Sequence, residues 1–540
     1  MPTQQQVRHL DATELIAAVL DPGSYRSWDA PVVDPDPGPE YRQELAAARA
    51  RTGVDESVLT GEGLIRGRRV AVIVSEFRFL AGSIGLAAAE RIVNAVERAT
   101  QEGLPLLAGP ASGGTRMQEG TIAFLSMVKI SAAVRAHRQA GLPYLVYLRH
   151  PTTGGVMASW GSLGHITVAE PGALLGFLGP RVYEALYGIP FPENVQVAEN
   201  LFDKGLVDAV VPPWQLSDVV DRALSILVSG PNPRVAPPRT LSVKPSKAGA
   251  WESIEISRNP RRPDLRQLLA HGARDVLPLN GTGQGEKDPG LLLALARFGQ
   301  KSCVVIGHTR PRPSQQTAMG PASLREARRG MRLAEELGLP LLTVIDTGGA
   351  ALSREAEEGG LAGEIARSLH DLIGLNSPTV SVLLGQGAGG GALALLPADR
   401  TIAAQHAWLS PLPPEGASAI VHRSTDFAPA MSEAQGVSVA SLYASGLVEH
   451  IIDERGIGDN GDAALEAKAF CQRLGQAIEY ELATLSSAGI GELLPQRLDK
   501  YRNLGGLAAP SLISPSSPDT FGAVTPGLLD SPRMQELDEH

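Results

Sequence analysis

Gly385, Gly387, Gly389, Gly390 and Gly391 crowd into seven residues between the apolar run Val380, Val382, Leu383, Leu384 and a helix opening at Ala392. Glycines at the end of a buried strand let backbone approach a ligand with no Cβ in the way. The N–H groups of the helix start that follows favour negative charge. The dinucleotide template Gly-x-Gly-x-x-Gly fits Gly385, Gly387 and Gly390, but the acidic residue about 20 positions on is missing, since Asp399 comes too early and the region near Gln405 is neutral. Close packing of helix on sheet is the structural alternative for these glycines.

A second glycine-rich stretch, 111–120, reads ASGGTRMQEG, and a third, His150-Pro-Thr-Thr-Gly154-Gly155, follows an apolar run at 142–148. No nucleophilic elbow, Walker loop or His-Glu-x-x-His accompanies them. What remains is oxyanion stabilisation without a protein nucleophile, suited to chemistry that builds charge on a carbonyl oxygen, such as enolate formation from a thioester. Two stations of this kind imply two carbonyls to polarise. Arg116 and Glu119 either contact substrate or pair with each other. Arg310, Arg312, Arg325, Arg328, Arg329 and Arg332 either meet phosphates or form a solvated helix face. Asp346 either caps the turn after its strand or acts as a base, and His165, His308, His406 and His422 read singly as structural.

These residues need strands to aim them, and the chain alternates strand and helix from Arg69 onward: a strand at 70–74, a helix at 86–100, a strand at 104–107, a helix to about Gln139 and a strand at 142–148. The pentapeptide GLPLL occurs at 103–107 and again at 338–342, an offset of 235, with Gly113-Gly114 and Gly348-Gly349 following in register. Pro143 and Pro378 keep the offset, while Gly155 and Gly391 differ from it by one. Two α/β domains of one fold follow, from a duplication. The boundaries expected are a lead-in over 1–60, a first domain over 61–229, a proline-rich linker over 230–246, a second domain over 247–481 and a tail over 482–540. Helical pattern fades after Glu481, and 510–540 carries no apolar periodicity. Asn280-Gly-Thr-Gly-Gln-Gly285 reads as a loose segment ahead of the second domain's first strand at 303–306.

A net charge of −10 argues against nucleic acid as the main partner, and two cysteines, Cys303 and Cys471, cannot build a disulfide framework or a four-cysteine zinc site. No stretch of 18 apolar residues and no leader pattern appears, so a soluble, cytoplasmic protein with no membrane association is expected.

Taken together, the motifs resemble the carboxyltransferase component of acetyl-CoA and acyl-CoA carboxylases. The first domain is similar to the β-type subunit through ASGGTRMQEG, HPTTGGV (150–156), AEPGALLGFLGPRV (169–182) and ENLFDKGLVDAVV (199–211). The second is similar to the α-type subunit through ISRNPRRP (256–263), VVIGH (304–308), GLPLLTVIDTGGA (338–350), GGALAL and PPEGASAI (413–420), in the β-then-α fusion found in actinobacteria. The resemblance implies two tandem crotonase-like (ClpP/crotonase) domains with ββα repeats. It implies that Gly154 and Gly155 hold the thioester oxygen of acyl-CoA, that Gly391 and Ala392 hold the ureido oxygen of biotin, and that Ser112, Gly113, Gly114, Arg116, Gly348, Gly349 and Gly390 bind substrate. In such a mechanism carboxybiotin releases CO₂, the biotin nitrogen takes the α-proton of acyl-CoA, and the enolate attacks CO₂, so that no protein base is needed. The implied partners are a separate biotinylated carrier, a biotin carboxylase and further copies of this chain, as a hexamer of three dimers; no metal is implied. The family's DTPGAYPG pattern is DTGGAALS here (346–353), its SPEG is interrupted over 410–416, and the β-type zinc ribbon is missing. Two other readings stay open: a biotin-independent acyl-CoA decarboxylase or hydrolase on the same fold, and a non-catalytic scaffold subunit.

Overall fold

The computed structural model describes residues 9–32, 38–228, 235–238, 241, 243–310, 318–454 and 463–504. Two seven-stranded sheets carry the chain, one per domain. In the first, Arg26–Ser27, Val58–Ile65 and Arg68–Ser75 pair antiparallel, and Leu106–Gly109, Tyr144–Leu148, Ile166–Ala169 and Ala209–Val210 continue in parallel. The second repeats this order with Asp275–Leu279, Leu291–Phe298, Lys301–His308, Leu341–Thr347, Thr379–Gly387, Arg400–Ala404 and His450–Ile452. Helices such as Leu86–Gln101 and Pro321–Glu336 return the chain between parallel strands, as parallel pairing requires. The central strands are mostly apolar because helices cover them; all five residues of Tyr144–Leu148 and all eight of Lys301–His308 are buried.

The duplication is legible in the pairing. Leu106 faces Tyr144 in one sheet and Leu341 faces Thr379 in the other, both members moved by 235. Isolated bridges Ile84–Thr115 and Met319–Ala350 keep the same offset.

Three expectations change. Strand Val58–Ile65 begins inside the segment read as helical lead-in, and helix Ala12–Val19 buries Leu15, Ile16 and Val19 against the same core as Val70 and Val72. Of the segment read as loose, 280–282 are buried and held by Asn280 while 283–285 are exposed without helix or strand, and two strands, Asp275–Leu279 and Leu291–Phe298, precede the one at Lys301–His308. Pro278 disguises the first of these, which is an edge strand where a missing N–H costs no ladder bond. Helical structure also persists beyond Glu481: Ala467–Ser486 is one helix and Ile490–Arg502 another. The buried Arg497 fastens the latter, donating to both oxygens of Asp399 at 2.9 Å and to the carbonyls of Leu375 and Ser377. Gly230-Pro-Asn-Pro233, Arg312 and the segment 510–540 lie outside the described residues, whereas Pro237 and Pro238 lie within them.

Candidate active site

Each domain turns its chain at the C-terminal ends of its parallel strands in the same way. In the first, the Ser112 hydroxyl accepts the Gly114 N–H at 3.0 Å, and the Thr153 N–H reaches Ser112 O at 2.8 Å. In the second, Thr347 Oγ1 accepts the Gly349 N–H at 3.1 Å, and the Ala388 N–H reaches Thr347 O at 3.0 Å. Gly114 and Gly349 take φ of 115° and 134°, values that exclude side chains.

Short helices follow, Gly154–Met157 and Gly389–Leu393. Gly154 and Gly389 correspond: φ is 63° and 66°, and their N–H groups donate to Phe177 O at 2.8 Å and Ser410 O at 2.9 Å. The Gly154 N–H is therefore engaged inside the protein, and its part is to turn the chain so that Gly155 presents the next donor. At the constant offset Gly155 matches Gly390 and Val156 matches Gly391, which corrects the one-residue mismatch read from sequence; the two glycine runs differ in length, not in backbone path. First-turn N–H groups have no partner within their own helix, so those of Gly155, Gly390, Gly391 and Ala392 are the candidates for receiving an oxyanion. Gly155 and Gly390 are half-buried, Gly391 and Ala392 buried, and Gly113 and Gly348 exposed at the rim.

The glycines are close-fitted. A Cβ on Gly155 would lie 3.2 Å from Thr115 Oγ1 and 3.4 Å from Met127 Cγ, one on Gly390 2.8 Å from Ile365 Cδ1, and one on Gly391 3.0 Å from Met319 Cε and 3.4 Å from Ala350 N. The altered segments keep the backbone that borders this space. Ala351 donates to Met319 O at 3.0 Å, Ser353 caps helix Arg354–Glu358, and Ser410 supplies the carbonyl that turns Gly389.

Arg116 is 1% exposed. Its guanidinium forms an ion pair with Glu56 and reaches Ser57 Oγ at 3.1 Å and Ser83 O at 2.7 Å, with Glu119 more distant at 3.5 Å. Tyr41, from helix Pro39–Thr52, donates to Glu119. Arg116 thus faces inward and stiffens the turn between Gly114 and helix Gly120–Gln139. Glu56 carried no local signal, because its partner is 60 residues away.

Asp346 likewise holds the turn, with Arg310 Nε at 2.5 Å and the Gln386 N–H at 3.0 Å. Arg325 pairs with Glu286 and Glu364, Arg328 with Glu364 and Asp371, and Arg329 with Asp208. Burial pushes His308 down to about 4, so it is neutral; burial lowers His165 too. His406 Nδ1 lies 3.2 Å from Ser253 Oγ, and the His422 ring packs tilted against Phe427. Among the described residues no group of three His, Cys, Asp or Glu is arranged to hold a metal ion, and no helix is long and apolar enough to cross a membrane.

Strand order and paired backbone turns define an α/β class of crotonase-like fold, and comparison with solved structures agrees in the fold. The chain matches a transcarboxylase 12S hexamer determined with hydrolysed methylmalonyl-coenzyme A (TM-score 0.67, 21% identity, 89% of this chain and 90% of that one). It also matches a single-chain, multi-domain long-chain acyl-CoA carboxylase (TM-score 0.64, 17% identity, 86% and 46%). A family model described as carboxyl transferase domain covers residues 12–456. A probable biotin-dependent acyl-coenzyme A carboxylase beta3 subunit of Mycobacterium tuberculosis is 58% identical over 93% of this chain and 98% of its own. The acetyl-coenzyme A carboxylase carboxyl transferase subunits beta/alpha of Salinispora arenicola are 35% identical over 92% and 91%. The chain belongs to the carboxyl transferase family, and its activity is that of an acyl-CoA carboxyltransferase of the biotin-dependent kind. Neither a biotin-independent hydrolase nor an inert scaffold finds support among these relatives.

Proposed function

We propose that the chain carries a carboxyl group from carboxybiotin on a separate carrier protein to the α-carbon of acetyl-CoA or propionyl-CoA, giving malonyl-CoA for fatty acid biosynthesis, or methylmalonyl-CoA. The observation that carries this reading is the pair of equivalent backbone turns, one per domain, each ending in first-turn N–H groups on close-fitted glycines. Gly155 holds the thioester oxygen, with Gly154 setting its direction and Ser112, Gly113, Gly114 and Arg116 shaping the approach. Gly390, Gly391 and Ala392 hold the ureido oxygen of biotin, with Gly348 and Gly349 opposite; a Cβ at Gly391 would crowd Met319 Cε and Ala350 N, so the glycine keeps this slot narrow. Biotin supplies the carboxyl group and, once relieved of it, the base for the α-proton. The chain's own residues bind and orient the two carbonyls and stabilise the charge that builds on the thioester oxygen. No metal takes part in this reading.

The first domain, which takes in helix Ala12–Val19 and strand Val58–Ile65, handles acyl-CoA, and the second, which extends through helix Ile490–Arg502, handles biotin, the two joined through 230–246. The working form is a cytoplasmic homo-oligomer, a hexamer built as three dimers, served by a biotin carboxylase and its carrier. Exposed apolar side chains support this: Met117, Ile122, Leu125 and Val128 at helix Gly120–Gln139, Phe177 whose carbonyl accepts the Gly154 N–H, Leu186 and Tyr187 on helix Pro180–Tyr187, and Leu352, Leu393, Ile420 and Val421 in the second domain. Apolar faces this extensive are characteristic of interfaces.

The test is malonyl-CoA decarboxylation with a biotin ester as acceptor. Gly391→Val should retain acyl-CoA binding and lose transfer, whereas Gly155→Val should lose productive thioester binding, each by about a hundred- to a thousandfold in rate. Decarboxylation that runs equally fast without biotin, and that Gly391→Val leaves intact, would overturn the reading; oligomer size and melting check the fold of each variant.

A further inference from the structure

Behind the sheets, at the N-terminal ends of the parallel strands and so at the opposite end from the glycine turns, the two domains meet around a cavity of about 200 Å³. Its lining includes Arg138, His165, Asp208, Arg329, Arg332 and Glu336. Hydrogen-bonding supply in this seam is lopsided.

Both carboxylates are engaged. Asp208 accepts the Thr167 N–H at 2.9 Å, the Asn280 N–H at 3.0 Å and Arg329 Nη2 on its two oxygens at 2.9 and 3.0 Å. Glu336 accepts Arg138 Nε at 3.2 Å and Nη2 at 2.5 Å. The donors are in surplus. His165, 1% exposed, accepts the Tyr144 N–H on Nδ1 at 3.0 Å, so its proton resides on Nε2. That Nε2 lies 3.3 Å from Glu336 Oε2 without the alignment of a hydrogen bond and is left unpaired. Arg332 lines the cavity with its side chain exposed to solvent and makes no ion pair or hydrogen bond among the described residues; Arg328 and Arg329 repel its charge, and Glu336 and Asp371 attract it. Three guanidinium groups against two carboxylates leave an excess positive charge.

A cavity whose acceptors are filled and whose donors are not is complementary to a ligand that only accepts. Its volume falls below that of pockets for drug-sized molecules, which excludes nucleotides and coenzyme A but admits a single oxyanion with water. We propose that this interdomain seam binds a small tetrahedral oxyanion of the phosphate or sulfate class, held by the His165 Nε2–H and the Arg332 guanidinium, and that the ion clamps the first domain to the second.

The experiment is thermal melting of the full-length protein titrated with sodium phosphate, against sodium chloride at matched ionic strength, for wild type, Arg332→Gln and Arg332→Lys. Anything that binds only the folded state raises its melting temperature with concentration. Wild type should rise with phosphate, and with sulfate, well beyond chloride. Arg332→Gln should bind phosphate about tenfold or more weakly, the loss of one charge-assisted hydrogen bond, and Arg332→Lys should recover part of it. Oligomer size and phosphate-free carboxyl transfer should match wild type in both variants. The proposal is overturned if wild type responds to phosphate no more than to chloride, or if Arg332→Gln responds as wild type does. It is equally overturned if saturating acyl-CoA abolishes the response while Arg332→Gln spares it, because the ion then occupies the substrate's phosphate site.

Discussion

Gly154 and Gly155 are adjacent and chemically identical, yet their backbones ask different things of them. Gly154 sits at φ 63°, and a Cβ there would lie 3.2 Å from Gly113 O and from Gly114 Cα, both backbone atoms that cannot step aside. Gly155 has an ordinary φ, and its nearest neighbour would be the Thr115 hydroxyl. Gly154→Ala is therefore expected to cost about 1–2 kcal/mol from the left-handed conformation alone, and more from the clash, read as a lower urea midpoint at unchanged slope. Equal midpoints for Gly154→Ala and wild type would show that the turn does not depend on this residue. Sequence pattern marked the pair as special; which of the two N–H groups is available became readable only when Phe177, 23 positions further on, accepted one of them.

At the scale of elements, helix Pro39–Thr52 and the turn after Gly114 are joined through one buried charge cluster of Tyr41, Glu56, Arg116 and Glu119. Removing one member of a buried ion pair strands the other, a loss of about 3–5 kcal/mol, whereas replacing both with apolar groups is far less costly. Arg116→Leu should accordingly melt well below wild type and lose carboxyl transfer with it, and Glu56→Leu combined with Arg116→Leu should regain part of the melting temperature. A double variant that melts lower than either single one would contradict this coupling. Helix Ile490–Arg502 depends in the same manner on Arg497 against Asp399, so Arg497→Leu is expected to destabilise the second domain by a similar amount, seen as faster proteolysis of that half. Charges within three or four positions suggested Arg116 with Glu119; the stronger partner came from 60 residues upstream, a separation that periodicity does not register.

For the whole molecule the seam between domains contributes one component of the pH response. Glu326 is buried there on helix Pro321–Glu336; burial raises its carboxyl to about 8, Arg329 opposes the shift, and Asp288 and Asp208 add to it. Between its ordinary value of 4.5 and about 8 the folded protein holds a proton that the unfolded chain has released. Stability therefore falls as pH rises through that window and levels off above it. Glu326→Gln should remove this component, so that the variant melts above wild type at alkaline pH and the gap closes toward pH 4.5. Parallel melting curves across the range would refute the assignment. Discrimination between acetyl- and propionyl-CoA should be modest, because one methylene in an apolar pocket is worth only about 1–3 kcal/mol; specificity constants more than a thousandfold apart would exclude a simple apolar pocket. Light scattering tests the assembly: an active monomer is incompatible with the exposed apolar faces of both domains being interfaces.

The residues alone determined the alternation of strand and helix, the duplication at an offset of 235 and the two glycine runs, because each is carried by local periodicity or direct repetition. They also carried the family resemblance, which rests on contiguous motifs. Tertiary structure decided what depends on distant partners. It put Asp275–Leu279 at a sheet edge where Pro278 is tolerated, and buried residues 280–282 as a joint through Asn280, whose side chain donates to Phe202 O and Val207 O. It likewise gave Arg116 and Asp346 to internal ion pairs. A local window records hydrophobic period and turn chemistry, whereas which donors and charges are already satisfied is a property of residues that meet only when the chain has folded.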